Sequence, residues 1–241
     1  MSMPFYVAPE QVMKDRADYA RKGIARARPL VASRFAEGIA MVAESSSPTL
    51  HKISEIYDRI AFAGAGRYNE YDQLRVAGVR AADLKGYQYS RDDVDARSLA
   101  NQYAQILGQI FTHEMKPMEV EILVAEVGVT SDGDQMFHIN YDGTVVDERD
   151  TCVLGGDVAT INTRLAEAAG STPPDALDLG SVVRAAVSAL TGPDRTVPAG
   201  DLEVALLVRG PSRRCFKRLT DDEVAALLPA ADTTDASTGG T

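Results

Sequence analysis

Tryptophan is absent from the 241 residues, and only two cysteines occur, Cys152 and Cys215. Their separation along the chain suits neither a zinc knuckle nor a vicinal redox pair, so both read as small buried hydrophobes. Also missing is any run approaching about 20 apolar residues, the length that spans a bilayer. The opening Met-Ser-Met-Pro-Phe-Tyr lacks the basic-then-apolar plan of a signal peptide, and a cytoplasmic location is expected. Basic residues are in short supply, 25 Lys and Arg against 35 Asp and Glu, for a formal charge of −10. That balance argues against nucleic acid or a membrane surface as partner. What is present, 45% apolar and 25% charged residues with 19 Gly and 11 Pro, suits one globular domain with a substantial core and excludes disorder, collagen or coiled coil for the whole chain.

Periodicity divides the chain into blocks. A first helix over 9–27 carries Met13, Ala17, Ala20, Ile24 and Ala27 on a narrow stripe of mostly small residues, which predicts a surface helix or one lying against a neighbouring subunit. Pro29 stops it. Strands follow at 30–35 and 38–44, joined by the tight Ala36-Glu37 link, and at 52–57 and 59–64. Helices over 69–84 and 94–115 come next, with Ser90 and Asp93 as candidate caps of the second. Strands return at 120–127, 136–141, 144–147 and 152–154, then helices over 157–168 and 175–190, a hairpin of 202–209 and 215–219, and a short helix near 222–228. Residues 229–241 are small and polar and are expected to be a disordered tail. Strands and helix pairs taken in blocks, without strand-helix alternation, predict an α+β domain built as a four-layer αββα sandwich: two mainly antiparallel sheets face to face, each covered by a helix pair. Burial on both faces explains strands as unbroken as Ile122-Leu123-Val124-Ala125 and Val204-Ala205-Leu206-Leu207-Val208.

The chemistry-bearing motifs are thin. Gly64-Ala65-Gly66-Arg67-Tyr68-Asn69 follows a strand and opens a helix, with Asp83 downstream, as in a dinucleotide loop, but the third glycine is missing and the next element reads as a helix. Glycines that let a strand turn sharply into a helix are the simpler account. His51, His113 and His138 fall in unrelated elements without metal-ligand spacing, and no metal or other cofactor is expected. No G-x-S-x-G elbow and no Walker loop occur. Lys14, Arg16, Arg21, Lys22, Arg26, Arg28 and Arg34 form a basic cluster, but Asp15 and Asp18 interrupt it and aromatics for base stacking are scarce.

Asp18-Tyr19-Ala20-Arg21, continued through Phe35-Ala36-Glu37-Gly38-Ile39, resembles the signature and first hairpin of proteasome core α-type subunits. The run Thr49 to Ile60 with Ala63-Gly64-Ala65-Gly66 is similar to the lysine strand and glycine turn of the same family. The likeness continues through Tyr87-Gln88-Tyr89, Leu99 to Gln105, Lys116 to Glu121 and Ile139 to Gly143. It spans residues 9–228 and is strongest to the actinobacterial branch. The resemblance implies the fold of the N-terminal-nucleophile hydrolase class, which agrees with the layers read from pattern.

It also implies which kind of member this is. Catalytic β-subunits of the family start their first strand with a threonine whose own amine serves as base. Here a whole helix precedes that place, so no catalytic residue is expected. Ser2, even if exposed by loss of Met1, would sit on an arm before a helix. The expected role is a noncatalytic α-subunit of a threonine-type endopeptidase complex. By resemblance it forms a homoheptameric ring with other α-subunits, caps the β-subunits, admits unfolded protein substrates, and docks a ring-shaped AAA ATPase activator. Residues 1–8 (Met1, Ser2, Met3, Pro4, Phe5, Tyr6, Val7 and Ala8) are the expected gate arm. Lys52 matches the lysine that receives an activator's C-terminal carboxylate, and Gly66 the glycine beside that tail. Arg21 and Asp18 are candidates to line the same pocket or to pair across subunits. The Tyr-Asp-Arg turn and following proline of archaeal and eukaryotic relatives have no counterpart. An active N-terminal-nucleophile hydrolase is the alternative, and a dinucleotide-dependent oxidoreductase a third reading.

Overall fold

Pro9 begins the first helix, α1 (Pro9–Ala25), at a position where its missing N–H removes no helical bond. The computed structural model describes residues 8–45, 47–170 and 172–228. Only Ala20 and Ile24 of α1 are buried. They meet Tyr141, with Ala17 and Phe111 packed alongside, in an apolar cluster separate from the main core. The narrow stripe thus does what its composition predicts and lays the helix on the surface, with Val12, Met13 and Tyr19 exposed.

The chain then forms β1 (Leu30–Phe35) and β2 (Gly38–Glu44), paired from Leu30↔Ala43 to Phe35↔Gly38 with the bounds expected from the sequence. Next come β3 (Ile53–Tyr57) and β4 (Ile60–Gly66). The first helix pair is α2 (Tyr68–Gln88) and α3 (Ala96–His113). Four strands follow: β5 (Val120–Glu126), β6 (Gln135–Ile139), β7 (Val145–Glu148) and β8 (Thr151–Leu154). The second pair is α4 (Val158–Ala169) and α5 (Leu179–Thr191). The chain ends in β9 (Leu202–Val208), β10 (Phe216–Arg218) and α6 (Asp221–Leu227), which carries a full capping box of Thr220 and Glu223.

Two five-stranded sheets result, ordered β10-β9-β2-β1-β8 and β3-β4-β5-β6-β7, and every registered strand pair in them is antiparallel. Leu30, Ile39, Met41, Leu123, Met136, Leu154 and Leu207 fill the seam between the sheets. Alternate residues of the same strands face outward. Phe62, Ile122 and Phe137 meet Leu99, Tyr103 and Leu107 of α3, while Val42, Val204 and Leu206 meet Val182, Val183 and Ala186 of α5. This is the four-layer αββα sandwich.

Two helix starts differ from the sequence reading. Ser90 caps only a single 3-10 turn, Arg91–Asp93, and Asp95 caps α3 by accepting the Ser98 N–H at 2.7 Å. Three carboxylates compete there, and the extended, buried Val94 between them sets the register that puts Asp95 at the cap. The helix expected from residue 175 begins at Leu179, because Pro174–Ala176 closes a separate 3-10 turn and Asp178 accepts the Ser181 N–H at 2.7 Å.

Candidate functional site

A charged residue inside an apolar strand marks the site. Glu203, second in β9, is 6% exposed. Its carboxylate accepts the backbone N–H of Lys52 at 2.8 Å and of Ile53 at 3.2 Å, pairs closely with Arg218, and has His51 Nδ1 at 3.4 Å. Glu203 therefore ties the start of β3, in one sheet, to β9 and β10 of the other. The backbone of Lys52 is held, and its side chain turns to the joint between α1 and β1, where Nζ donates to the carbonyl of Arg28.

The surroundings of that ammonium are mixed in sign. Burial is the largest influence and pushes its pKa down to about 8, helped by the Arg28 guanidinium and opposed by Glu203 and Glu44. Glu44, at the end of β2, is clamped by Arg195 at 2.9 and 2.8 Å and stands 4.0 Å from Arg28. Hydrogen bonding from Arg195 holds the Glu44 carboxyl below its ordinary value. One ammonium donor is engaged by a neutral carbonyl. The other two are suited to an anionic oxygen, and an arriving carboxylate would strengthen the proton's hold on the nitrogen.

Gly66 ends β4 at the same end of the sheet, two residues beyond Gly64, whose N–H donates to the Lys52 carbonyl at 3.0 Å. Its φ of +117° suits glycine alone, and a Cβ there would fall 1.9 Å from the Glu119 carbonyl oxygen. Lys52 and Gly66 thus share one edge of the sandwich. Asp18 and Arg21 do not join them. They form an i,i+3 pair of 3.3 Å on the exposed face of α1, and the Arg21 guanidinium lies 5.9 Å from the Tyr141 ring centroid. Of the gate arm, Met1 to Val7 lie outside the described residues, as does the tail 229–241, while Ala8 stands at the start of α1 in extended conformation.

The dinucleotide reading fails on topology. β4 pairs antiparallel with β5, and α2 leads into α3, so Gly64 and Gly66 belong to no parallel βαβ unit. The basic cluster is dispersed among structural partners. Arg16 donates to the Phe111 and Thr112 carbonyls at 2.6 and 3.0 Å, Arg34 faces Asp134 and Asp150 at 3.6 and 3.7 Å, and Arg28 faces Glu44. Both cysteines are buried, as read from the sequence. No helix among the described residues is long and apolar enough to cross a membrane.

The sequence reading missed Glu203, Glu44 and Arg28 as the surroundings of Lys52. A lone carboxylate in Leu202-Glu203-Val204-Ala205-Leu206 was the available signal, since such a residue must find a partner.

A family model described as "Proteasome subunit" matches residues 24–196. The chain is 59% identical over 228 residues to the "Proteasome subunit alpha" of Acidimicrobium ferrooxidans, covering 95% of this chain and 97% of that one. It is 52% identical over 244 residues to the protein of the same description from Sanguibacter keddieii, covering 99% and 94%. The corresponding Streptomyces avermitilis protein is 51% identical over 246 residues, covering 100% and 96%.

Proposed function

Given that this chain belongs to the proteasome subunit family, in its α-type branch, we propose that it is the noncatalytic, gating subunit of a proteasome core. Seven copies form an outer ring on the β-subunits, admit unfolded protein to the proteolytic chamber and dock a ring-shaped AAA ATPase. The observation that carries this reading is the junction at the head of β1. The chain runs unbroken from α1 through Arg28 and Pro29 into Leu30, so the head of the strand offers a tertiary amide in place of a free amine and no hydroxyl. Lys52, instead of facing a nucleophile, bonds the Arg28 carbonyl.

The same geometry supports docking. An activator tail ending in a carboxylate would add its oxygens to the Lys52 donors that have no partner among the described residues, with its backbone passing the bare edge at Gly66. Asp18 and Arg21, an exposed pair on α1, are read as a contact to a neighbouring subunit or to the body of the activator. Residues 1–8, which lead into α1, form the gate. A lone arm bearing Phe5 and Tyr6 would be an apolar liability in water, whereas seven converging copies would cover one another.

The test is co-expression with a partner β-subunit, followed by sizing and peptide hydrolysis. The full assembly should hydrolyse peptides and the isolated chain should not, with Lys52→Ala lowering the ratio of activator-stimulated to unstimulated rate. Turnover by the isolated chain, together with a processed terminus at β1, would instead establish an active N-terminal-nucleophile hydrolase.

A further inference from the structure

The sandwich has an open side where β7 edges one sheet and β8 edges the other. Alternation along β6 puts His138 on the face of Met136, which lies in the seam between the sheets, and away from Phe137 and Ile139, which meet α3. Glu148 of β7 stands opposite Met136. Cys152 of β8 enters from the other sheet and is 2% exposed. A ring nitrogen of His138, a carboxylate oxygen of Glu148 and the Cys152 Sγ all lie within 4.8 Å of one another.

The ring of His138 is oriented from behind. Its Nε2 is 3.0 Å from Oε2 of Glu121, a β5 carboxylate only 7% exposed, whose other oxygen accepts the Gly155 N–H. A carboxylate accepts, so Nε2 donates to Glu121 and Nδ1 is the ring nitrogen left to face the cluster. That nitrogen faces the Glu148 carboxylate at 3.8 Å. An imidazole nitrogen, a carboxylate oxygen and a thiol therefore converge, with a second carboxylate behind the ring, in the pattern of a carboxylate–imidazole–cation triad.

We propose that His138, Glu148 and Cys152 bind one zinc-type divalent cation that clamps the two sheets together at their open side. Nitrogen, oxygen and sulfur donors together suit zinc better than magnesium or calcium. Bonds of about 2.0–2.3 Å at tetrahedral angles separate donor atoms by about 3.3–3.7 Å, so the observed spacing has to contract by at most about 1.5 Å. The side chains of His138 and Glu148 are 14% and 30% exposed, leaving solvent a route to the fourth position. As the Sγ–metal bond forms, the thiol proton leaves to water. Glu121 is a positioning residue, holding the imidazole in the tautomer that binds.

The test uses the purified full chain, stripped by chelator, dialysed into metal-free buffer and given zinc ion alone. The expected result is one zinc retained per chain by elemental analysis, a raised Tm, and a thiolate-to-metal charge-transfer band when cobalt(II) replaces zinc. His138→Gln and Cys152→Ser should lose all three. Glu148→Gln, at a partly exposed strand edge, should lose stoichiometric retention while its metal-free Tm stays close to that of the stripped wild type. Cys215→Ser should keep all three. The proposal is overturned if the stripped wild type retains no more zinc than Glu148→Gln, or if cobalt binds without the thiolate band. Either result would leave His138 as a structural residue held between its two carboxylates.

Discussion

Raising the pH should release a docked activator tail through Lys52. With its pKa pushed down to about 8 by burial, roughly nine-tenths of the chains carry the ammonium at pH 7 and roughly one-tenth at pH 9. A carboxylate that binds the charged form should therefore lose about tenfold in affinity per pH unit above 8 and take up nearly one proton per site near pH 9. The assay is calorimetric titration of the assembled particle with a peptide copied from the tail of a stimulating ATPase, run in two buffers of different ionisation enthalpy. The C-terminally amidated peptide is the control. Lys52→Arg keeps a cation that does not titrate in this range, so it should flatten the pH profile even if it weakens binding. Affinity that is level through pH 9 in the wild type, or a fall that persists unchanged in Lys52→Arg, would refute the reasoning. Stability carries the opposite sign from affinity. A lysine whose pKa is depressed on folding binds fewer protons folded than unfolded between about 8 and its ordinary value, so burial of Lys52 weighs against the fold below pH 8 and is relieved as pH rises through that window.

Three further outcomes are expected. Removal of residues 1–8 should raise peptide hydrolysis by the assembled particle without activator; an unchanged rate would dismiss the gate. Glu203→Gln leaves Arg218 facing a neutral amide and weakens the hold on Lys52 and Ile53, and should lower stability by about 3–5 kcal/mol in urea unfolding; a loss under 1 kcal/mol, on the order of an exposed pair, would deny it the tying role. Gly66→Ala forces a side chain into φ +117° against the Glu119 carbonyl and should cost about 1–3 kcal/mol or more, which thermal unfolding of the variant would reveal.

Much of the architecture could be read from the chain because it is encoded locally. The β1–β2 hairpin matches its expected bounds because Ala36-Glu37 leaves room only for a tight reversal between two apolar runs. The layers followed from helix pairs whose single apolar faces need a sheet to cover. Helix starts proved harder where several acceptors stand in a row, as with Asp93 and Asp95, since the choice depends on where Val94 is buried. The setting of Lys52 was the least legible. Glu203 lies 151 residues away in sequence, and only the stacking of one sheet on the other brings it there. Cys152, His138 and Glu148 sit on three strands whose convergence requires the same stacking, so spacing along the chain gave no hint of it.

A helix whose buried side chains are only Ala20 and Ile24, with a few polar contacts beside them, has its own consequence for life outside the assembly. In a solitary molecule α1 should be the earliest part to fray, exchanging its amide hydrogens ahead of both sheets. Neighbours arriving on either side in the proposed ring would supply the cover its own body withholds, and the order of this segment would then belong to the assembly and not to the single polypeptide.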